Sequence, residues 1–231
     1  MIKAILFDID GTLSLMDPEE FMRNYVGLLA PRFAHLLPPD KFAKQVFRST
    51  EVIIKNPQPD RTNLQTFFDD FTKSTGLSFS SLWPIFESFY STDFPALRCL
   101  VKGNLLGKEV VDTAIRQGYT VAIAANPVMP LEAIKERIRW ADLNPDRFCL
   151  IPCIEEFHYC KPQLGFFKEL AQKLDLAPEE CVMVGNHPVE DMNAALIGMR
   201  TFLVSNSKSD LKVDYCGGLD FLMDLILKGT L

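Results

Sequence analysis

The sequence ILFDIDGTL at residues 5–13 decides the fold, because it joins a buried strand to a pair of acidic side chains. The apolar run at 2–7, with one lysine, is typical of a parallel strand covered on both faces. Asp8 and Asp10 follow at the carboxyl end of this run, the edge at which open α/β sheets hold ligands. If strand geometry continues through Asp10, both carboxylates point the same way, since side-chain direction repeats every two residues.

These neighbouring carboxylates predict a bound metal ion. Two like charges this close are costly without a cation or a shared proton. Mg²⁺ suits a site that offers few carboxylates together with waters and a substrate phosphate. The alternative is a solvated turn after a strand, but Gly11 and Thr12, which let the chain turn sharply after the apolar run, favour a reactive site.

The composition is that of a globular chain and excludes some partners. The 231 residues are 48% hydrophobic and 23% charged, with 24 basic and 30 acidic residues and a formal charge of −6. No run of Lys or Arg is longer than two, so we expect no nucleic-acid partner. No apolar run is long enough for a membrane span and no secretory signal is evident, so we expect a cytoplasmic protein that does not engage a membrane.

Residues 15–98 show helical periodicity, with apolar side chains every three or four residues. The segment Pro57-Gln58-Pro59-Asp60 predicts a break after the second of four amphipathic helices, and Gly76 is the predicted end of the third. No strand-like segment interrupts this helical block. The apolar positions that define it include Phe21, Tyr25, Leu28, Leu29, Phe33, Leu36, Phe42, Val46, Phe47, Ile53, Phe67, Phe68, Phe71, Leu82, Phe86 and Phe89.

From about residue 100 the pattern alternates between helix and strand, which indicates a doubly wound parallel sheet of the Rossmann type. The helical block interrupts this α/β unit after its first strand. We therefore predict a core domain made of residues 1–14 and 99–231, with an all-helical cap domain at 15–98. The predicted helices lie at 107–118, 130–140, 164–174 and 190–197, and the predicted strands at 119–124, 148–154, 181–184 and 200–204.

The string DIDGTL at residues 8–13 resembles the first motif of the haloacid dehalogenase (HAD) superfamily, whose aspartate-nucleophile hydrolases are mostly phosphatases. That superfamily has a doubly wound core with a helical cap inserted between its first and second strands, so the resemblance extends over nearly the whole chain. It implies that Asp8 is the nucleophile and Asp10 the general acid and base. It also implies that Gly11 and Thr12 contribute to substrate binding.

The second motif departs from the superfamily pattern at Ala125, which follows the strand at 119–124. The superfamily usually has Thr or Ser there, and its hydroxyl binds a phosphoryl oxygen. Loss of a hydrogen bond to a charged group costs about 1.5–3 kcal/mol, or one to two orders of magnitude in rate. Backbone N–H groups near Asn126 can still contact phosphate, so Ala125 and Asn126 stay in the predicted substrate site. A plain turn at Asn126-Pro127 is the alternative.

Lys161-Pro162 resembles the third motif. A lysine between strand and helix offsets the negative charges of Asp8 and of an incoming phosphoryl group, so Lys161 is assigned to catalysis and to substrate binding. An isolated lysine is more commonly solvated, but the adjacent proline and the position in the chain favour function.

The segment GNHPVED at 185–191 resembles the fourth motif, with Asn186 in place of its first acid. An amide oxygen can still ligate Mg²⁺, although it adds no charge. Asp191 then becomes the anionic ligand, directly or through water, and Glu190 is the alternative. The predicted metal ligands are therefore Asp8, Asp10, Asn186 and Asp191, while His187 either contacts the substrate or lies on the surface.

The resemblance as a whole implies a Mg²⁺-dependent phosphatase that hydrolyses a small phosphorylated metabolite through an aspartyl-phosphate. A phosphomutase shares the first step and stays open. A dehalogenase needs no proton for its leaving group, so Asp10 argues against it. Ala125 and Asn186 support a further alternative, a catalytically degenerate protein of this fold that binds a phosphorylated ligand or a protein partner. The sequence indicates neither the substrate nor the oligomeric state.

Overall fold

A computed structural model describes residues 1–56, 60–205 and 213–231 of the chain. The predicted break at Pro57-Gln58-Pro59-Asp60 lies, except for Asp60, outside the described residues. The strands and helices follow in the order β1 (Ala4–Phe7), β2 (Ser14–Leu15), α1 (Pro18–Leu29), α2 (Pro39–Lys55), α3 (Asn63–Thr75), α4 (Phe79–Thr92), β3 (Lys102–Gly103), α5 (Gly107–Arg116), β4 (Thr120–Ile123), α6 (Leu131–Trp140), α7 (Leu164–Lys173), β5 (Cys181–Gly185), β6 (Arg200–Val204), β7 (Tyr215–Gly217) and α8 (Leu219–Lys228).

In the described residues, the central sheet has five parallel strands in the order β4-β1-β5-β6-β7. β1 lies inside the sheet, with Phe7 opposite Ile123 of β4 and Val184 of β5. Because the strands run the same way, their carboxyl ends meet at one edge, and Asp8 is the first residue beyond β1 at that edge. The predicted α/β class with a parallel sheet is confirmed.

Helices cover both faces of the sheet, as the continuous apolar strands predict. Ile5 and Phe7 point into a large core that also contains α5, α6, α8 and the helical block. Ala4 and Leu6 point the opposite way, into a smaller core built around Phe166 of α7. None of the helices in the described ranges is long and apolar enough to cross a membrane.

Helices α1 to α4 form the block inserted between β1 and β4, and no strand interrupts them in the described residues between β2 and β3. Their core is aromatic; for example, the rings of Phe33 and Phe42 stack with centroids 4.1 Å apart. Phe94, just after α4, stacks on Trp140 of α6 at 4.9 Å, so the block packs directly on the α/β part. The division of the chain into two domains stays a prediction.

Strands β2 and β3 form a short antiparallel pair at the points where the chain enters and leaves the helical block. Ser14 of β2 lies opposite Gly103 of β3, and Leu15 lies opposite Lys102. The Asn104 amide adds a hydrogen bond of 2.9 Å to the Thr12 carbonyl. The sequence pattern did not predict this pair, since each strand is only two residues long.

The predicted strand at 148–154 is wrong. Only its first part follows β4, with the Cys149 N–H donating to the Val121 carbonyl and the Ile123 N–H to the Leu150 carbonyl, both at 3.0 Å. Pro152 has no N–H to continue the ladder. Ile154 donates instead to the carbonyl of Met129, so the chain has turned away from the sheet.

Three further elements differ from the prediction. The helix expected at 190–197 is a 3-10 helix that covers only Met192–Ile197. Strand β7 was not predicted, because it is only three residues long. Helix α8 was not predicted either, although Leu219, Leu222 and Ile226 lie at helical spacing.

Candidate active site

Asp8 lies at the centre of the sheet edge and is only 7% exposed. Its N–H donates to the Val184 carbonyl at 2.9 Å, which extends the β1–β5 ladder by one residue. Lys161 Nζ donates to Asp8 Oδ1 at 2.8 Å and to Asp191 Oδ1 at 2.6 Å. The three predicted residues therefore form a buried cluster in which one cation bridges two carboxylates.

Asn126 positions Lys161 by linking the loops that follow β4 and precede α7. Its Oδ1 accepts a hydrogen bond of 2.7 Å from the Lys161 N–H. The alternative, a plain turn at Asn126-Pro127, does not account for this hydrogen bond to Lys161. Ala125 beside it is buried and presents no hydroxyl.

The loop after β5 orients Asp191 toward Lys161. Asp191 Oδ2 accepts from the His187 N–H at 2.9 Å, while the Asp191 N–H donates to the His187 carbonyl. Gly185 is required for this approach, because a Cβ there would lie 2.2 Å from Asp191 Oδ2. His187 and Glu190 are more exposed and face the same cavity, described below.

Burial and neighbouring charges act in opposite directions on this cluster. Burial raises the pKa of Asp8; the charge of Lys161 opposes this shift and that of Asp191 adds to it. Burial acts to lower the pKa of Lys161, but the two carboxylates outweigh that effect and leave the pKa raised. Lys161 therefore holds its proton firmly between the two carboxylates.

Asp10 is bound by an arginine that the sequence analysis missed. One oxygen of Asp10 accepts from Arg137 Nη2 of α6, and the other accepts from the Ser14 hydroxyl at 3.4 Å. The Arg137 side chain is 9% exposed, whereas that of Asp10 is 33% exposed. Burial lowers the pKa of Arg137 to about 10, although the charge of Asp8 opposes the shift. The signal for Arg137 was its place four residues after Ala133, on the buried face of α6.

Gly11 and Thr12 lie against Asn186. The Thr12 hydroxyl donates to Asn186 Oδ1 at 3.5 Å, and Thr12 is completely buried. A Cβ on Gly11 would lie 2.2 Å from Asn186 Nδ2. Neither Gly11 nor Thr12 lines the cavity at the site, so their substrate-binding role stays a prediction.

A cavity of about 410 Å³ opens onto these groups, a size typical of sites for small molecules. It contains the predicted nucleophile, acid/base and lysine together with apolar side chains from α1 and from the loop after β4. Its walls are formed by Asp8, Asp10, Met16, Pro18, Phe21, Met22, Ala125, Asn126, Val128, Met129, Arg137, Lys161, Asn186, His187, Glu190 and Asp191.

The sequence model of the haloacid dehalogenase-like hydrolases matches residues 2–196 of the chain. The protein belongs to this family. No curated protein sequence matches this HAD-like hydrolase.

Several solved structures share the fold of the HAD-like hydrolase over almost its whole length. A HAD phosphatase from Thermococcus onnurineus is 19% identical, with a TM-score of 0.61 and coverage of 97% of this chain and 98% of that one. A 2-haloacid dehalogenase from Pseudomonas syringae pv. Tomato DC3000 is 17% identical, with a TM-score of 0.63 and coverage of 99% and 100%. A predicted phosphoglycolate phosphatase from Haemophilus somnus 129PT is 17% identical, with a TM-score of 0.57 and coverage of 100% and 98%. At these identities the likeness shows the fold alone.

The oxygen atoms at the cavity of the HAD-like hydrolase are suitable ligands for Mg²⁺, although few of them are charged. In the described residues, no group of three or more His, Cys, Asp or Glu side chains is arranged to hold a metal ion. Asp8, Asn186 and Asp191 nevertheless bring two carboxylates and one amide to the same cavity. Mg²⁺ takes such hard oxygen ligands and commonly keeps several waters, so this set suits it.

We expect Gly11→Ala to destabilise the HAD-like hydrolase by about 1–3 kcal/mol, the usual cost of a left-handed backbone at a non-glycine residue. Gly11 has φ +80°, and the added methyl also meets the Asn186 amide. Urea unfolding measures the change. Gly27→Ala is the matched control: Gly27 lies within α1 and a Cβ there meets no atom within 4 Å, so a stabilisation of about 0.5–1 kcal/mol is expected. Equal stability of wild type and Gly11→Ala would contradict the strain argument.

Proposed function

We propose that this HAD-like hydrolase is a Mg²⁺-dependent phosphatase that hydrolyses a small phosphorylated metabolite through an aspartyl-phosphate. The observation that carries the proposal is the pairing of Asp8 with Lys161 at 2.8 Å on a cavity that Asp10 also lines. A carboxylate nucleophile, a cation beside it and a second carboxyl group are the parts that this reaction needs.

In the first step an oxygen of Asp8 attacks phosphorus, and the bond from phosphorus to the ester oxygen breaks. Asp10 gives a proton to the leaving alcohol oxygen. In the second step water attacks the aspartyl-phosphate, Asp10 takes a proton from that water, and inorganic phosphate leaves with Asp8 restored. Lys161 holds Asp8 in position and offsets negative charge on the phosphoryl oxygens.

Charge balance supports the participation of a metal ion. Among the described residues, the cavity walls carry two cations, Lys161 and Arg137, and four carboxyl groups, those of Asp8, Asp10, Glu190 and Asp191. Even with Asp10 protonated for the first step, the carboxylates outnumber the cations, and a phosphate group would add further negative charge to this excess. Mg²⁺ held by Asp8, Asn186, Asp191 and the main-chain carbonyl of Asp10 would supply positive charge at the transferred oxygens.

The second candidate is hydrolytic dehalogenation of a 2-haloacid, in which Asp8 would attack carbon and displace halide. The neutral Asn186 favours it, because this reaction needs no metal ion. One structure of the same fold, from Xanthobacter autotrophicus, is an L-2-haloacid dehalogenase with chloropropionic acid covalently bound. Against it, a halide leaves without a proton, so the first step of that reaction provides no task for Asp10 at the cavity.

We expect purified protein to hydrolyse 4-nitrophenyl phosphate with Mg²⁺ and to lose at least about 90% of that rate in excess chelator, with recovery when Mg²⁺ is restored, because the site lacks compensating charge. Absorbance of the released phenol measures the rate. Chloride release from L-2-chloropropionate is measured in parallel with and without chelator.

Each result separates the candidates. Chloride release that chelator does not affect, without phosphatase turnover, would replace the proposal by dehalogenation. If neither compound is turned over, the next test replaces Ala125 and Asn186 by the residues that the superfamily usually has. If the double variant Ala125→Thr, Asn186→Asp gains phosphatase activity, Ala125 and Asn186 disable catalysis in the wild type, which supports the degenerate alternative. Return of the phosphoryl group to a sugar phosphate, rather than to water, would indicate a phosphomutase.

A further inference from the structure

Two cations line the cavity, and their charges are compensated to different degrees. Lys161 lies between the carboxylates of Asp8 and Asp191. Within the described ranges, the guanidinium of Arg137 hydrogen-bonds to one carboxylate, that of Asp10, and the charge of Asp8 also acts on it. A guanidinium carries five N–H donors in a planar fork, so Arg137 keeps donors for a second anion.

The other contact of Arg137 is weak. Its Nη1 lies 3.9 Å from the Met129 sulfur, and a thioether is a poor acceptor. The side chain is 9% exposed, so water compensates little of its charge. A buried cation with spare donors at a cavity wall is a favourable place for an anionic group of a ligand.

Asp10 has a task that conflicts with its contact to Arg137. In the proposed reaction the Asp10 carboxyl must face the leaving oxygen, yet one of its oxygens is bound to Arg137. A carboxylate on the substrate that binds to Arg137 releases that oxygen of Asp10. Because the substrate carboxylate replaces Asp10, the guanidinium of Arg137 stays paired with an anion.

The remaining walls of the cavity restrict the alternatives. Arg137 and Lys161 are the Lys or Arg side chains among its described lining residues. Lys161 is bound to the nucleophile and therefore faces the phosphoryl group. The rest of the lining includes Phe21, Val128 and Met129, which suit a short carbon chain between two anionic groups. A volume of about 410 Å³ suits a small substrate.

We propose that Arg137 determines specificity by binding a carboxylate of the substrate, so that the preferred substrates are small phosphate esters that also carry a carboxylate. This inference rests on the proposed phosphatase function. It assigns the phosphoryl group to Asp8 and Lys161 and the carboxylate to Arg137.

The test compares 2-phosphoglycolate with ethyl phosphate, which has the same carbon skeleton without the carboxylate. Wild type is expected to show a higher kcat/KM for phosphoglycolate. In Arg137→Gln this preference should fall about 10- to 100-fold, mainly through the KM for phosphoglycolate, because a charged hydrogen bond is lost. If the substitution also lowers kcat by disturbing Asp10, it does so for both esters. That effect cancels in the ratio of kcat/KM for phosphoglycolate to kcat/KM for ethyl phosphate. Arg139→Gln, at an exposed position of the same helix, is the control and should keep the preference.

An equal fall of kcat/KM for both esters would overturn the inference and leave Arg137 as a positioning residue for Asp10. Arg137→Lys keeps the charge and should retain part of the preference; it replaces Arg137→Gln if that variant does not fold. If wild type hydrolyses neither ester, turnover of 4-nitrophenyl phosphate still decides the proposed function, and calorimetry on Asp8→Asn protein decides the inference separately. Tighter binding of phosphoglycolate that a substitution at Arg137 removes supports it, whereas equal binding of the two esters overturns it.

Discussion

Replacement of Asp8 by Asn is expected to lower kcat/KM for an aryl phosphate by about 10⁴-fold or more, as removal of a nucleophile does. An amide is a poor nucleophile and cannot form the aspartyl-phosphate. The substitution keeps the size of the side chain, and an amide oxygen can still accept the hydrogen bond that Lys161 donates at 2.8 Å. We therefore expect the fold to persist while turnover is lost. Steady-state kinetics measure the change, and intact-mass spectrometry of rapidly quenched wild type should detect the phosphoryl adduct.

The comparison also tests the readings in which Asp8 does no chemistry. Circular dichroism of Asp8→Asn should match that of wild type, and a cooperative thermal transition should show that the variant is folded. If the folded variant keeps activity within tenfold of wild type, Asp8 is not the nucleophile. If wild type binds phosphate esters but neither protein turns them over, the binding-only reading gains support.

Replacement of Lys161 by Met is expected to destabilise the protein by about 3–5 kcal/mol at neutral pH, the usual cost of removing one partner from a buried ion pair. Lys161 is 3% exposed and bridges Asp8 and Asp191, so its loss leaves two carboxylates facing each other without a cation. Activity should fall as well, because the charge beside the proposed nucleophile is lost. Urea unfolding at pH 7 measures the stability.

Two variants control this measurement. Lys168→Met removes an exposed lysine from the same helix region and should change stability by no more than about 0.5 kcal/mol. The double variant Lys161→Met, Asp191→Asn removes one of the two uncompensated charges and should recover part of the lost stability. A single Lys161→Met variant as stable as wild type would show that the carboxylates do not need this cation.

The sheet was largely predictable because its strands are buried on both faces and therefore form short apolar runs. Such runs marked β1, β4, β5 and β6 within a residue or two. The same signal failed at 148–154, where the apolar residues are buried for another reason: the chain follows β4 briefly and then packs beneath the loop at Met129. An apolar run reports burial, and it does not report the hydrogen-bond partners that define a strand.

The candidate site was predictable where residues are contiguous in a motif, as with Asp8, Lys161 and Asp191. Their clustering follows from the topology, because each belongs to a loop at the same sheet edge. Arg137 could not be found in this way. It lies in the middle of a helix whose pattern shows only a charged residue on an apolar face, and the cavity that it lines exists only once α6 has packed. The hydrogen bond from the Lys161 N–H to Asn126 could not be predicted either, because it joins two loops that are distant in sequence.

The position of β1 inside the sheet determines when the candidate site can assemble during synthesis. Ala4 lies opposite Thr120 of β4 and Cys181 of β5, and β1 pairs with no nearer strand of the sheet. The strand that leads to Asp8 must therefore wait for partners that leave the ribosome much later, and closing such long loops slows folding. A nascent or truncated chain that ends before β5 lacks one side of this pairing. Asp8 leaves the ribosome before both strands that its own strand pairs with, so the candidate site can assemble only after β5 has been made.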